Sequence, residues 1–146
     1  MEGIRVGQEN SSHAAVGSAG HRSQILWRVL GGLLLLAMGG IHLYLVLTVV
    51  GGLLGVLFML NAIGGLVLAI ALLAAPRRFL PLASVLSLLF MAGTLLALVL
   101  ALTVGLFGIT EQLSFELVPT TLVVESIGTI VLAVTTALAF RTRRSG

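Results

Sequence analysis

From Ile25 to Ala75 the chain is apolar at nearly every position, with Arg28, His42 and Asn61 as its only strongly polar residues. At 1.5 Å per residue, one helix over these roughly 50 residues would reach about 75 Å, against a hydrocarbon core of about 30 Å. The stretch therefore reads as two spans. Paired glycines near its midpoint, in Val49-Val50-Gly51-Gly52, permit positive φ and mark the break. The run PRRFLP, Pro76 to Pro81, combines two helix breakers with two charges and ends the second span. A third span follows, then the polar loop GITEQLSFELVP, Gly108 to Pro119, then a fourth that Arg141, Arg143 and Arg144 stop. The pattern predicts an all-α, four-span antiparallel transmembrane helix bundle, with spans about 25–48, 53–75, 82–106 and 120–140.

The segment 1–23 is rich in Gly, Ser and Ala without an apolar period, and is expected to be a flexible cytoplasmic tail. Residues 24–140 form the transmembrane domain and 141–146 a basic cytoplasmic end. Orientation follows from arginine. All eight arginines lie in the tail and the start of span one, in the second loop (Arg77, Arg78) or at the C-terminus (Arg141, Arg143, Arg144). Those regions share one side of a four-span chain, while the other side carries Glu111 and Glu116. The positive-inside rule then puts both termini in the cytoplasm of a multi-pass protein of the inner (plasma) membrane. Arg28, Trp27 and Tyr44, near span ends, read as snorkelling or interfacial anchors.

Composition agrees. Of 146 residues, 58% are hydrophobic and 9% charged, with a mean hydropathy of +1.18, whereas soluble domains are about 25% charged. The expected partners are the lipid bilayer and a membrane protein or a second copy of the chain. The arginines flank apolar spans and make no nucleic-acid patch. With no cysteine, thiolate metal sites, iron–sulfur ligation and thiol nucleophiles are excluded. Apart from His42, the histidines are His13 and His21, both in the tail, so one chain cannot ligate a haem from two intramembrane histidines. No HExxH, GxSxG, P-loop or dinucleotide fingerprint is present. Neither a metal nor a cofactor nor a catalytic set is expected.

The candidate chemistry is a cluster of intramembrane polar residues: His42, Asn61 and Glu125, with Thr121 and Thr129. Counted along the spans, the first three lie roughly 8, 5 and 6 Å outside the midplane. Such groups are costly in lipid and should face the bundle interior with a partner. Thr121, Glu125 and Thr129 recur at i, i+4 and i+8 beside Gly128, a polar stripe on span four. Gly64 and Gly65 follow Asn61 and let another backbone approach. Span three carries Gly93, Ala97, Ala101 and Gly105 at four-residue spacing, a ridge for tight helix contact within the bundle or between protomers. Read as structure, the cluster is a hydrogen-bond network in which His42 serves Glu125 and Asn61; read as function, it is a proton relay or ligand site opening outward.

The segments GIHLYLVL in span one, LGVLFMLNAIGGLVLAIALL in span two and GLFGITE before a glutamate-bearing fourth span resemble uncharacterised four-helix integral membrane proteins of actinobacteria. The resemblance covers about residues 25–140. Those relatives often have a longer, more polar first outer loop, where this chain has only the Val-Val-Gly-Gly turn. The family has no assigned activity to carry over. A second, architectural likeness is to DoxX-like proteins, through the Gly-rich first span. Small multidrug transporters also have four spans, but their essential glutamate is in the first helix, where this chain has His42. The expected role is a non-enzymatic accessory or scaffold component of a bacterial membrane. The alternatives are a small transporter or proton-coupled conduit using His42, Asn61 and Glu125, and a quinone- or redox-associated membrane subunit.

Overall fold

The computed structural model describes the backbone of residues 2–48, 50–105, 113–114 and 117–144, and side chains of those between 22 and 143. Among the described residues there are four helices and no strand: α1 (Glu2–Thr48), α2 (Gly52–Ala74), α3 (Leu80–Thr103) and α4 (Val118–Arg144). Each contains a stretch long and apolar enough to cross a membrane, Arg22–Thr48 in α1 and Val118–Arg143 in α4, and the whole of α2 and α3. The expected spans agree with these to within a few residues.

The helices form a ring. α1 packs on α2 and α4, and α3 packs on α4 and α2, with α1 against α2 the most extensive seam and α2 against α3 the least. Its centre is filled by Leu35 and Met38 of α1, Ala69 and Leu72 of α2, Leu80 and Met91 of α3, and Leu132 and Ala139 of α4. The tight α1–α2 seam depends on glycine. A Cβ on Gly65 would lie 2.9 Å from the carbonyl oxygen of Leu35, and one on Gly39 would lie 3.2 Å from that of Ala62. Only a hydrogen in place of the side chain lets the two backbones approach so closely. Outside the ring, large apolar side chains such as Leu33, Leu60, Leu89 and Ile130 are more than half exposed.

The breaks occur where chain chemistry demands them. α1 ends at Thr48, Gly51 is extended, and Gly52 opens α2 with a φ of +62°. Ala75, which precedes Pro76, leaves the helical region at ψ 125° because the proline ring clashes with an α-helical neighbour. Phe79 N and Leu80 N then both donate to Pro76 O, at 2.9 and 3.1 Å, and Pro81 sits in the first turn of α3, where a missing N–H costs nothing.

Three details depart from the expectations. First, α3 stops at Thr103. Gly105 lies beyond it with a φ of +80°, its N–H donating to Leu100 O at 2.9 Å, so it closes the helix as a left-handed cap and is no member of a packing ridge. Second, the arginines after Phe140 end the apolar run but not the helix, which continues through Arg144. Arginine has high helix propensity, and cations near a C-terminus are favoured by the helix dipole. Third, α1 is helical from Glu2, so the segment expected to be a tail is joined to the first span by continuous helix. Helical hydrogen bonds close within the segment and require no apolar face.

Candidate functional site

Glu125 is the buried ionisable group of α4. Thr121, Glu125, Gly128, Leu132, Thr135 and Ala139 share the helix face turned into the ring, with a spacing of three and four residues that keeps them on one stripe. Glu125 is 1% exposed, and its Oε2 has no hydrogen-bond partner. The Thr94 hydroxyl of α3 lies beside the carboxyl. That hydroxyl donates to Met91 O at 2.8 Å. Thr129 donates to the backbone carbonyl of Glu125 at 2.8 Å, and Thr121 to that of Leu117 at 2.8 Å, so these hydroxyls of the expected stripe bond along their own helix.

His42 is buried on α1. Its Nδ1 lies 2.9 Å from Met38 O; a carbonyl oxygen can only accept, so Nδ1 carries the hydrogen and donates it. The ring meets the Phe58 ring of α2 edge-on, with centroids 4.8 Å apart and planes at 78°. The hydroxyl proton of Thr135 is shared between Val131 O at 2.8 Å and Trp27 O of α1 at 3.1 Å, and Gly31 faces Leu132. This antiparallel register puts Glu125 level with Met38, and His42 one turn further on, level with Thr121. Asn61 is half-buried on α2. Among the described residues no hydrogen bond joins His42, Asn61 and Glu125.

On α3 the buried polar side chains are Ser84, Ser87 and Thr94. With Met91 they recur at i, i+3, i+7 and i+10, one helical face, and that period is the signal by which sequence reasoning could have found them. Ser84 donates to Pro81 O at 3.0 Å, while Ser87 Oγ, fully buried, has no partner. The expected small-residue ridge is a different face. Gly93 is exposed with nothing within 4 Å of a Cβ placed there, Ala97 is half-buried, and Ala101 alone is buried. Gly64 meets the Phe90 ring of α3, and Gly65 the α1 backbone.

Arg28 does more than reach an interface. Its guanidinium donates to three carbonyls at the C-terminus of α2: Leu72 O from Nε (3.2 Å) and Nη2 (2.9 Å), Leu73 O (2.9 Å) and Ala75 O (3.0 Å). These are among the carbonyls a helix end leaves without an intrahelical partner. Gln24 Nε2 donates to Thr142 Oγ1 at 3.2 Å, tying α1 to α4 at the same end of the ring. Arg77, Arg78, Arg141 and Arg143 are exposed there, with the Arg78 guanidinium 4.7 Å from the centroid of Phe79. The side chain of Arg144, and Glu111 and Glu116 of the loop, lie outside the described residues.

Among the described residues no group of three His, Cys, Asp or Glu side chains could hold a metal ion. Ser126 and Glu125 are neighbours about 100° apart around the helix, so they cannot address one centre. What the interior offers is hydrogen-bond chemistry: an arginine cap, a histidine locked to its own helix, and a carboxyl with a free oxygen. Protein-family models, curated proteins and solved structures were compared with the chain, and none matches.

Proposed function

We propose that the chain is a multi-pass protein of the bacterial plasma membrane, with both termini cytoplasmic, acting without catalysis as an accessory or scaffold component. One observation carries this reading: the polar groups that reach from one helix to the next hold the bundle together. Arg28 caps α2, Thr135 bonds Trp27 of α1, and His42 is fixed between Met38 and Phe58. Outside the ring, half-exposed Leu, Val and Ile side chains cover all four helices, a surface suited to lipid and to another apolar partner. The arginines at the end bearing the termini support the orientation. On the residues of spans one, two and four alone, we place the chain beside the four-helix actinobacterial proteins, with DoxX-like proteins as an architectural parallel.

A conduit through His42, Asn61 and Glu125 has less support, since no hydrogen bond joins the three. A redox subunit calls for a chromophore or quinone in the purified protein. The test is purification of the full chain in mild detergent, with mass spectrometry of co-purifying proteins and lipids. A stoichiometric membrane-protein partner is expected. Solute flux from the chain alone in liposomes, without such a partner, would overturn the accessory role.

A further inference from the structure

Among the described residues, two buried side-chain oxygens have no partner, Glu125 Oε2 and Ser87 Oγ, one on each helix of the α3–α4 pair. An unpaired buried polar atom costs about 1–3 kcal/mol, and native proteins meet this cost with water, an ion or a functional role. The two atoms stand on either side of one side chain. Met91, which follows Ser87 by four residues and precedes Thr94 by three, lies against Gly128, where a Cβ would come within 2.8 Å of its Cε. Toward the end of the ring that carries the termini the seam holds Ser87, then Ser84 and Thr135, then buried Leu80 and Ala139, and beyond them Gln24 with Thr142. Toward the other end comes Thr121, which like Ser84, Thr135 and Thr142 donates to a carbonyl of its own helix, and then buried Val118.

We propose that Glu125 is an exchangeable proton site, reached by water along the α3–α4 seam from the end bearing the termini, with Ser87 as relay and with Met91, then Leu80 and Ala139, as apolar constrictions that must open to admit it. The inference rests on the membrane placement above but not on the accessory role. Thr94 lies beside the carboxyl and is its polar neighbour on α3. Ser87 lies seven residues from Thr94, about 10.5 Å along the helix, a gap that water must bridge. Met91 is flexible and packed on a glycine, so it can swing aside without moving backbone. In exchange, the carboxyl gives its proton to a seam water and takes one back from water, so no net charge remains on Glu125.

The test is infrared spectroscopy of the full chain in phosphatidylcholine–phosphatidylglycerol vesicles, with transfer from H2O to D2O. Wild type minus Glu125→Gln should show a protonated-carboxyl C=O band that moves to lower frequency in D2O. Should Glu125→Gln not fold, ¹³C-glutamate labelling of the wild type identifies the same band without any substitution. Ser87→Ala should slow the shift about tenfold, the rate cost of one lost hydrogen bond, and Ser87→Thr should restore it. A carboxylate band alone, a protonated band that never shifts in D2O, or an unchanged rate in Ser87→Ala would each overturn the proposal. None of these readouts depends on a partner protein, so this failure is distinguishable from failure of the accessory role.

Discussion

Arg28 and Leu72 are joined twice, Nε and Nη2 of one guanidinium donating to one carbonyl at 3.2 and 2.9 Å. Nη2 reaches Leu73 O and Ala75 O as well, so a single side chain of α1 serves the last turn of α2. A planar fork suits this, where an ammonium is a point donor. Arg28→Ala should lower the unfolding midpoint in detergent, at a cost of about 2–4 kcal/mol, because charged hydrogen bonds contribute more than neutral ones and their loss leaves carbonyls unpaired. Arg28→Lys should fall between wild type and alanine.

Gly65 and Gly93 should respond in opposite ways to the same substitution. Gly65→Ala forces a Cβ to 2.9 Å from Leu35 O, a backbone atom that cannot turn aside, so α1 and α2 must separate at a cost of about 1–3 kcal/mol. Gly93→Ala meets nothing within 4 Å and should gain up to about 1 kcal/mol from helix propensity. Thermal unfolding of both variants checks this. A drop in native mass with Gly93→Ala would instead assign that face to contact between copies.

His42 and Glu125 should behave as independent residues. In a double-mutant cycle, His42→Leu and Glu125→Leu should add to within about 0.5 kcal/mol, while Glu125→Leu with Thr94→Val should couple by about 0.5–3 kcal/mol. Reversible unfolding in bicelles reads both. Coupling of about 1 kcal/mol or more between His42 and Glu125 would bring the two side chains into contact and restore the network expected from depth alone.

The chain contains no cysteine, so introduced thiols report cleanly. Cysteines replacing the exposed Arg77 and Leu113 should be labelled by an impermeant maleimide from opposite sides of the membrane, Leu113→Cys from outside intact cells and Arg77→Cys only after permeabilisation. Labelling of both from outside would sink the four-span topology.

The spans were legible because bilayer thickness limits helix length, because Pro76 holds Ala75 out of the helical region, and because Gly52 takes up the positive φ of the first turn. The interior was legible only in part, and the reason differs by residue. Counting along a helix gives axial depth to within a turn, which placed His42 near Glu125 but could not show that its hydrogen went to Met38 O. Ser84 and Thr94 satisfy themselves on carbonyls three residues back, so they disappear into an apolar helix until its buried face is known. Gly105 carries the same letter whether it packs or caps, and its φ of +80° decides. Arg28 could be read only as a flanking charge, because its partners come from another helix.

Those partners also come later in synthesis. Arg28 leaves the ribosome 44 residues before Leu72, and throughout that interval the carbonyls that receive its guanidinium do not yet exist. Completion of α2 through Ala75 supplies the acceptors. Folding of the first hairpin is thereby a paired event, in which the guanidinium of α1 finds its partners only once the second helix has been made.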